Sequence, residues 1–165
     1  MPNDDFRAQI APKSQPDLEA LGACADRYGV SLIAATLRWL QYTERRAVLV
    51  KSIDGFIHWA RSSDRALRTG AYFKTAGQPP IEIPAAAIPA TETELVRRKA
   101  TRDHEAGIWF KEPCTEHALV SEVHDFALSL IHLGDAPSRF EPTEEAAEDT
   151  YDRMVSRTPG SSWLG

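Results

Sequence analysis

The chain has 165 residues, 42% of them hydrophobic and 26% charged, with a formal net charge of -5. That length holds one domain with a real core, or a small domain with a helical appendage, and the composition is that of an ordinary globular protein. The negative balance argues against non-specific nucleic-acid binding, which runs on neutralising phosphates, but leaves room for a local basic patch. No apolar run is long enough to span a bilayer. Met1-Pro-Asn-Asp-Asp5 is acidic and lacks the apolar stretch of a signal peptide, so the expected compartment is the cytoplasm, with no membrane partner. The two cysteines, Cys24 and Cys114, then read as reduced thiols. Cys24 falls in a helical pattern as a small hydrophobe. Cys114 follows Pro113 in an expected loop, with no neighbouring base to activate it.

In chain order, Met1–Lys13 carries scattered apolar positions, Phe6 and Ile10. Ser14-Gln-Pro-Asp17 predicts a helix start with a serine cap, and Leu18, Leu21, Ala25 and Tyr28 recur at helical spacing. Gly29 is placed to end that helix in a left-handed conformation, and Ser31 to cap the next, through Trp39 and Leu40 to about Thr43. The two helices make a helix-turn-helix unit over residues 17–43.

Ala47–Arg61 predicts a hairpin turning at Asp54-Gly55, with Ile53 opposite Phe56, Val50 opposite Trp59 and Val48 opposite Arg61. Val48, Val50, Ile57 and Trp59 then share the core face. Leu49, Lys51, Ile53, Phe56 and His58 take the other. Ser63–Arg68 is a short helix or turn, Ala71–Thr75 a strand candidate, and Ile81-Glu-Ile83 an extended edge between prolines. Thr91-Glu-Thr-Glu94 resembles a capping box opening a short helix through Leu95, Val96 and Lys99. Strands are expected at Gly107–Lys111, His117–His124 and Phe126–Leu133, and an acidic tail with a helix over Glu144–Val155 follows. The expected fold class is α+β: an N-terminal helical pair (1–44), an antiparallel-leaning sheet with short flanking helices of GAF/PAS-like kind (45–135), and the tail (136–165).

No complete catalytic motif is present. His104-Glu105-Ala106-Gly107 begins like a zincin helix, but its fifth position is Ile108, so the second imidazole is missing. His117 and His124 stand at odd separation and would face opposite ways on one strand. His58 and His132 look isolated, so no metal ligands are assigned. Arg61, Arg65, Arg68 and Arg97, Arg98, Lys99, Arg102 form a solvated basic surface or an anion patch. Trp39, Trp59, Tyr72, Phe73, Trp109 and Phe110 are core or the walls of a small-molecule pocket. His58, Trp59 and Trp109 are the ligand-binding candidates. For DNA or a protein partner the candidates are Ser31, Arg38, Arg45 and Arg46, although only Arg38 is basic within the second helix of the pair.

Met1-Pro2, Phe6, the helical pair with its Tyr28-Gly29-Val30-Ser31 turn, and Arg46-Ala-Val-Leu-Val50 followed by Asp54-Gly55 and Trp59 resemble the C-terminal half of ImmA/IrrE-family zinc metallopeptidases. The resemblance covers residues 1–62 well and is patchy to Leu133. It implies a GAF-like sensor region, and a repressor protein or a peptidase domain as partner. The family's HExxH helix and zinc have no counterpart in these residues, so the resemblance implies no catalytic residue and no cofactor in this chain. The expected function is therefore a non-catalytic regulatory and interaction module that takes a small molecule or a protein. The alternative is a DNA-binding transcriptional regulator using residues 17–43.

Overall fold

A computed structural model describes residues 3–91, 99–121 and 125–135. The fold is α+β. Its centre is a five-stranded antiparallel sheet, β1 (Arg46–Ile53), β2 (Phe56–Ser62), β3 (Lys99–His104), β4 (Cys114–Val120) and β5 (Ala127–Leu133), in the order β2-β1-β5-β4-β3. Helices α1 (Asn3–Gln9), α2 (Leu18–Tyr28) and α3 (Leu32–Tyr42) precede it, and α4 (Asp64–Arg68) and α5 (Ile88–Thr91) follow the hairpin.

The helical pair forms where its caps place it. Asp17 and not Ser14 is the N-cap of α2, its carboxylate accepting from the Ala20 N–H at 2.8 Å; Ser14 closes the preceding turn on the Ala11 carbonyl. Gly29 ends α2 at φ +64°, and the Ser31 hydroxyl accepts from Ala34 N–H to open α3. Leu18, Leu21, Cys24 and Ala25 of α2 and Ala35, Trp39 and Leu40 of α3 meet Ala47, Leu49, Leu128 and Leu130 in one apolar cluster. Phe6, fully buried on α1, and Ile10, just past its end and bonded through its N–H to the Phe6 carbonyl, belong to the same cluster, so the scattered apolar positions of the N-terminus point to one side.

The hairpin turns at Asp54-Gly55, both at positive φ, and Ile53 pairs with Phe56 as its sequence predicts. Beyond the turn the register departs from that expectation. Ser52 pairs with Ile57 and Lys51 with Trp59, so His58 is an extra residue in a β-bulge. Val50 therefore faces Ala60, and Val48 faces Ser62. The extra residue also reverses the outer strand: Ile57 stays with Val48 and Val50, while Trp59 turns to the helical face. Both faces of β1 and β5 are buried, which is why these two strands read as near-continuous apolar runs.

The second face is covered by Ala66 of α4, by Ile83, Ala87 and Ile88, and by Trp109. Ile81–Ile83 runs along the edge of β2, with Ile57 N–H donating to the Ile81 carbonyl and Ile83 N–H to that of Gly55. Two expected strands are absent: Ala71–Thr75 and Gly107–Lys111 are irregular. At the latter, Gly107 adopts φ +96° and donates to the Phe110 carbonyl, making a turn that swings Trp109 inward against Phe73. The strand expected over His117–His124 begins earlier, as β4, and Lys99 opens β3 instead of closing a helix. The capping box and helix through Val96, Arg97, Arg98, His124, Met1-Pro2 and the tail fall outside the described residues. No helix among the described residues is long and apolar enough to cross a membrane.

Candidate functional site

Two connections of the chain are stitched together where the helices meet the sheet. The Tyr42 hydroxyl donates to the Ile10 carbonyl at 2.6 Å, and Thr43 Oγ1 and Glu44 N–H both donate to that of Pro12. Arg45 Nε then donates to the Lys13 carbonyl at 2.7 Å. These bonds set Lys13, on the way into α2, beside Glu44–Arg46, on the way from α3 into β1. Ser63 adds the third wall. Its hydroxyl donates to the Arg45 carbonyl and accepts from Ala47 N–H, which anchors α4 and its Arg65 at the same end of β1. Asp135, just past β5, completes a polar cleft of about 380 Å³ lined by Lys13, Glu44, Arg45, Arg46, Arg65 and Asp135.

The four cations of this cleft differ in what holds them. Arg46 is 3% exposed. Its guanidinium makes a bidentate pair with Glu112 at 2.5 and 2.7 Å and donates to Thr69 Oγ1 and the Gly134 carbonyl. It forms the floor of the cleft. Arg45, half-buried, stands 3.7 Å from the exposed carboxylate of Asp135, a contact solvent screens strongly. Lys13 and Arg65 are exposed, and neither side chain has an ion pair or hydrogen bond among the described residues. Among the described residues the cleft thus offers two cations with no partner and one, Arg45, positioned by the Lys13 carbonyl but only weakly neutralised.

A second polar constellation lies inside the sheet's other face. Glu116 of β4 is fully buried, and its carboxyl group accepts from Ile88 N–H (3.1 Å), His104 Nε2 (2.7 Å), Trp109 Nε1 (3.3 Å) and Ser129 Oγ (2.8 Å). Three of these donors meet one oxygen and Ser129 meets the other, so the group works as a structural node that ties β3, β5, α5 and the Trp109 turn to β4. His104, the first residue of the incomplete zincin-like string, is spent in this node. Cys114 lies across from His104 in the β3–β4 ladder, but burial, followed by the charges of Glu116, Glu112 and Asp103, pushes its thiol up to about 12. It stays a thiol at neutral pH and is not an activated nucleophile.

The chain matches no protein-family model and no curated protein.

The residues singled out from sequence are distributed over several places. His58 sits exposed in the bulge, Trp59 packs on the helical side, and Trp109 is buried on the opposite side, so these three do not line one pocket. Ser31 is occupied as a cap, and Arg38 lies half-buried on α3. Arg45 and Arg46 reach the cleft, joined there by Arg65 of the basic surface. Arg46 presents nothing outward, because its guanidinium faces Glu112. His132 is not isolated: its Nε2 donates to the Pro16 carbonyl at 2.7 Å, and its ring meets Trp39 and His117 edge-on at 5.6 and 5.3 Å between centroids. Lys13 and Asp135 had no local signal, since the cleft assembles residues more than 120 positions apart. Glu116 had one: it takes the same strand parity as buried Cys114 and Ala118.

Proposed function

We propose that this chain is a regulatory and interaction module that works by recognition, in the cytoplasm, as the non-catalytic part of a system of the ImmA/IrrE kind. Its partner on this reading is a repressor protein or a peptidase domain. The observation that carries the reading is the convergence on one polar cleft of the connection entering the helical pair (Lys13), the connection leaving it (Glu44–Arg46), α4 and the end of β5. A ligand or partner seated there touches both layers at once. It would shift how α2 and α3 sit on the sheet only to the extent that it binds one arrangement better than another. The strand order β2-β1-β5-β4-β3, with helices on both faces, is in keeping with a GAF/PAS-like sensor region.

The test is hydrogen exchange on the full chain and on Arg45→Glu, which breaks the bond to the Lys13 carbonyl. Exchange in α1, α2 and α3 is expected to rise about tenfold, equivalent to roughly 1.4 kcal/mol of local opening, with β4 and β5 unchanged. A uniform rise, or none, would mean that the cleft and the helical pair are not coupled, and the regulatory reading would fall. Chelator-sensitive hydrolysis of a peptide by the purified chain would overturn it from the other side.

A further inference from the structure

We propose that the cleft is a site for the phosphate group of a small phosphorylated molecule, held by Lys13, Arg45 and Arg65. The inference rests on the interaction reading above and names its ligand class. A chain of net charge -5 here gathers four cations against two carboxylates, Glu44 and Asp135, in one concavity. Arg46 is neutralised by Glu112 and holds the floor, so it does not compete for the ligand. Among the described residues Lys13 and Arg65 have no ion-pair partner, and Arg45 has only Asp135, at 3.7 Å and 85% exposed. These three groups come from separate connections of the chain and line one cleft. That arrangement suits the several oxygens of a phosphate dianion better than the single plane of a carboxylate.

The connections are fixed before any ligand arrives. Arg45 is held by its bond to the Lys13 carbonyl, and α4 is anchored by Ser63, so ordering the site costs little beyond the Lys13 and Arg65 side chains. A volume of about 380 Å³ exceeds what an oxyanion alone fills and leaves room for a polar body beyond the phosphate. Asp135 is the internal competitor: it occupies Arg45 when the site is empty and must give way when a phosphate enters.

The test is a titration of the full chain with inorganic phosphate and pyrophosphate, followed by amide and side-chain NMR shifts, with acetate and chloride at matched ionic strength as controls. Saturable shifts confined to Lys13, Glu44–Arg46, Arg65 and Asp135 are expected for the phosphates alone. Lys13→Ala and Arg65→Ala, both at exposed positions, should each weaken binding about tenfold. Asp135→Asn should tighten it by about threefold, because it removes the competing carboxylate. Linear shifts spread over the surface, equal responses to acetate and chloride, or binding unaltered in Arg65→Ala would overturn the proposal. An acidic peptide that shifts these residues where phosphate does not would overturn the ligand class and leave the interaction reading standing. Loss of the latter is read separately, from hydrogen exchange.

Discussion

The two faces of the sheet bury polar groups on opposite terms. On the face covered by α4, α5 and the Trp109 turn, Glu116 has four donors, and no buried side-chain polar atom is left unpartnered there among the described residues. On the helical face His132 and Trp39 meet edge-on, yet His132 Nδ1 and Trp39 Nε1 are buried with no partner among the described residues. The difference follows from where the donors come from. Around Glu116 the strands supply His104 and Ser129, the first turn of α5 a free backbone N–H at Ile88, and the Trp109 turn an indole N–H, whereas α2 and α3 spend most of their backbone groups internally and present mainly side chains to the sheet. One face has a polar group as its linchpin, and the other tolerates polar groups for the packing they provide.

Breaking the first face should therefore have the largest effect. Glu116→Leu keeps most of the volume but leaves the donors of Ile88, His104, Trp109 and Ser129 buried without an acceptor. The expected loss is about 3–5 kcal/mol, read as a lowered urea midpoint with an unchanged slope. Glu116→Gln, which keeps one acceptor oxygen for Ile88, His104 and Trp109 and turns an N–H donor toward the Ser129 hydroxyl, should lose less than half of that. Equal losses would mean that the node contributes packing and not hydrogen bonding.

The same contrast explains what could be read from sequence. Asp54-Gly55, Gly29 and Ser31 act through their own backbone neighbourhood, and the structure has the turn, the helix end and the cap at those residues. The bulge at His58 is one residue wide and invisible to a period-two count, so it reversed the side of Trp59. Gly107–Lys111 has the aromatic content of a strand, but Trp109 is turned inward by a positive-φ glycine and held by a glutamate seven residues on. Of the cleft, the arginines at 45, 46 and 65 stood out locally. Its shape depends on bonds between residues about 32 positions apart, such as Arg45 to Lys13, which no spacing rule supplies.

The helical face should yield to pH. Burial lowers the His132 pKa to about 4, against an opposing contribution from the Pro16 carbonyl it bonds. The unfolded chain then binds more protons than the folded one between the ordinary value of 6.5 and about 4. Stability is full above 6.5 and falls as the pH drops through that window, by about 3 kcal/mol from this residue. His117 is also lowered, chiefly by burial, and adds in the same direction. Thermal melts from pH 7 to 4 should show the decline, and His132→Gln should flatten most of it while keeping a donor for Pro16. An undiminished slope in that variant would place the acid sensitivity elsewhere.

The smallest effect is the sharpest comparison, because it sets two tryptophans against each other. Trp109→Phe and Trp39→Phe remove the same atoms, but only the first removes a hydrogen bond, the one from Nε1 to Glu116 at 3.3 Å. Trp109→Phe should cost about 1–2 kcal/mol, the lost bond together with a Glu116 left with one donor fewer. At Trp39 the smaller ring leaves a void in a fully buried site, and that cost is offset by no longer burying an N–H with no acceptor. The net change there should stay within about 1 kcal/mol of zero, although Trp39 is the more deeply buried of the two. Urea titrations of both variants decide it. If Trp39→Phe proves the more damaging, packing outweighs hydrogen bonding on both faces, and the distinction between them is one of shape alone.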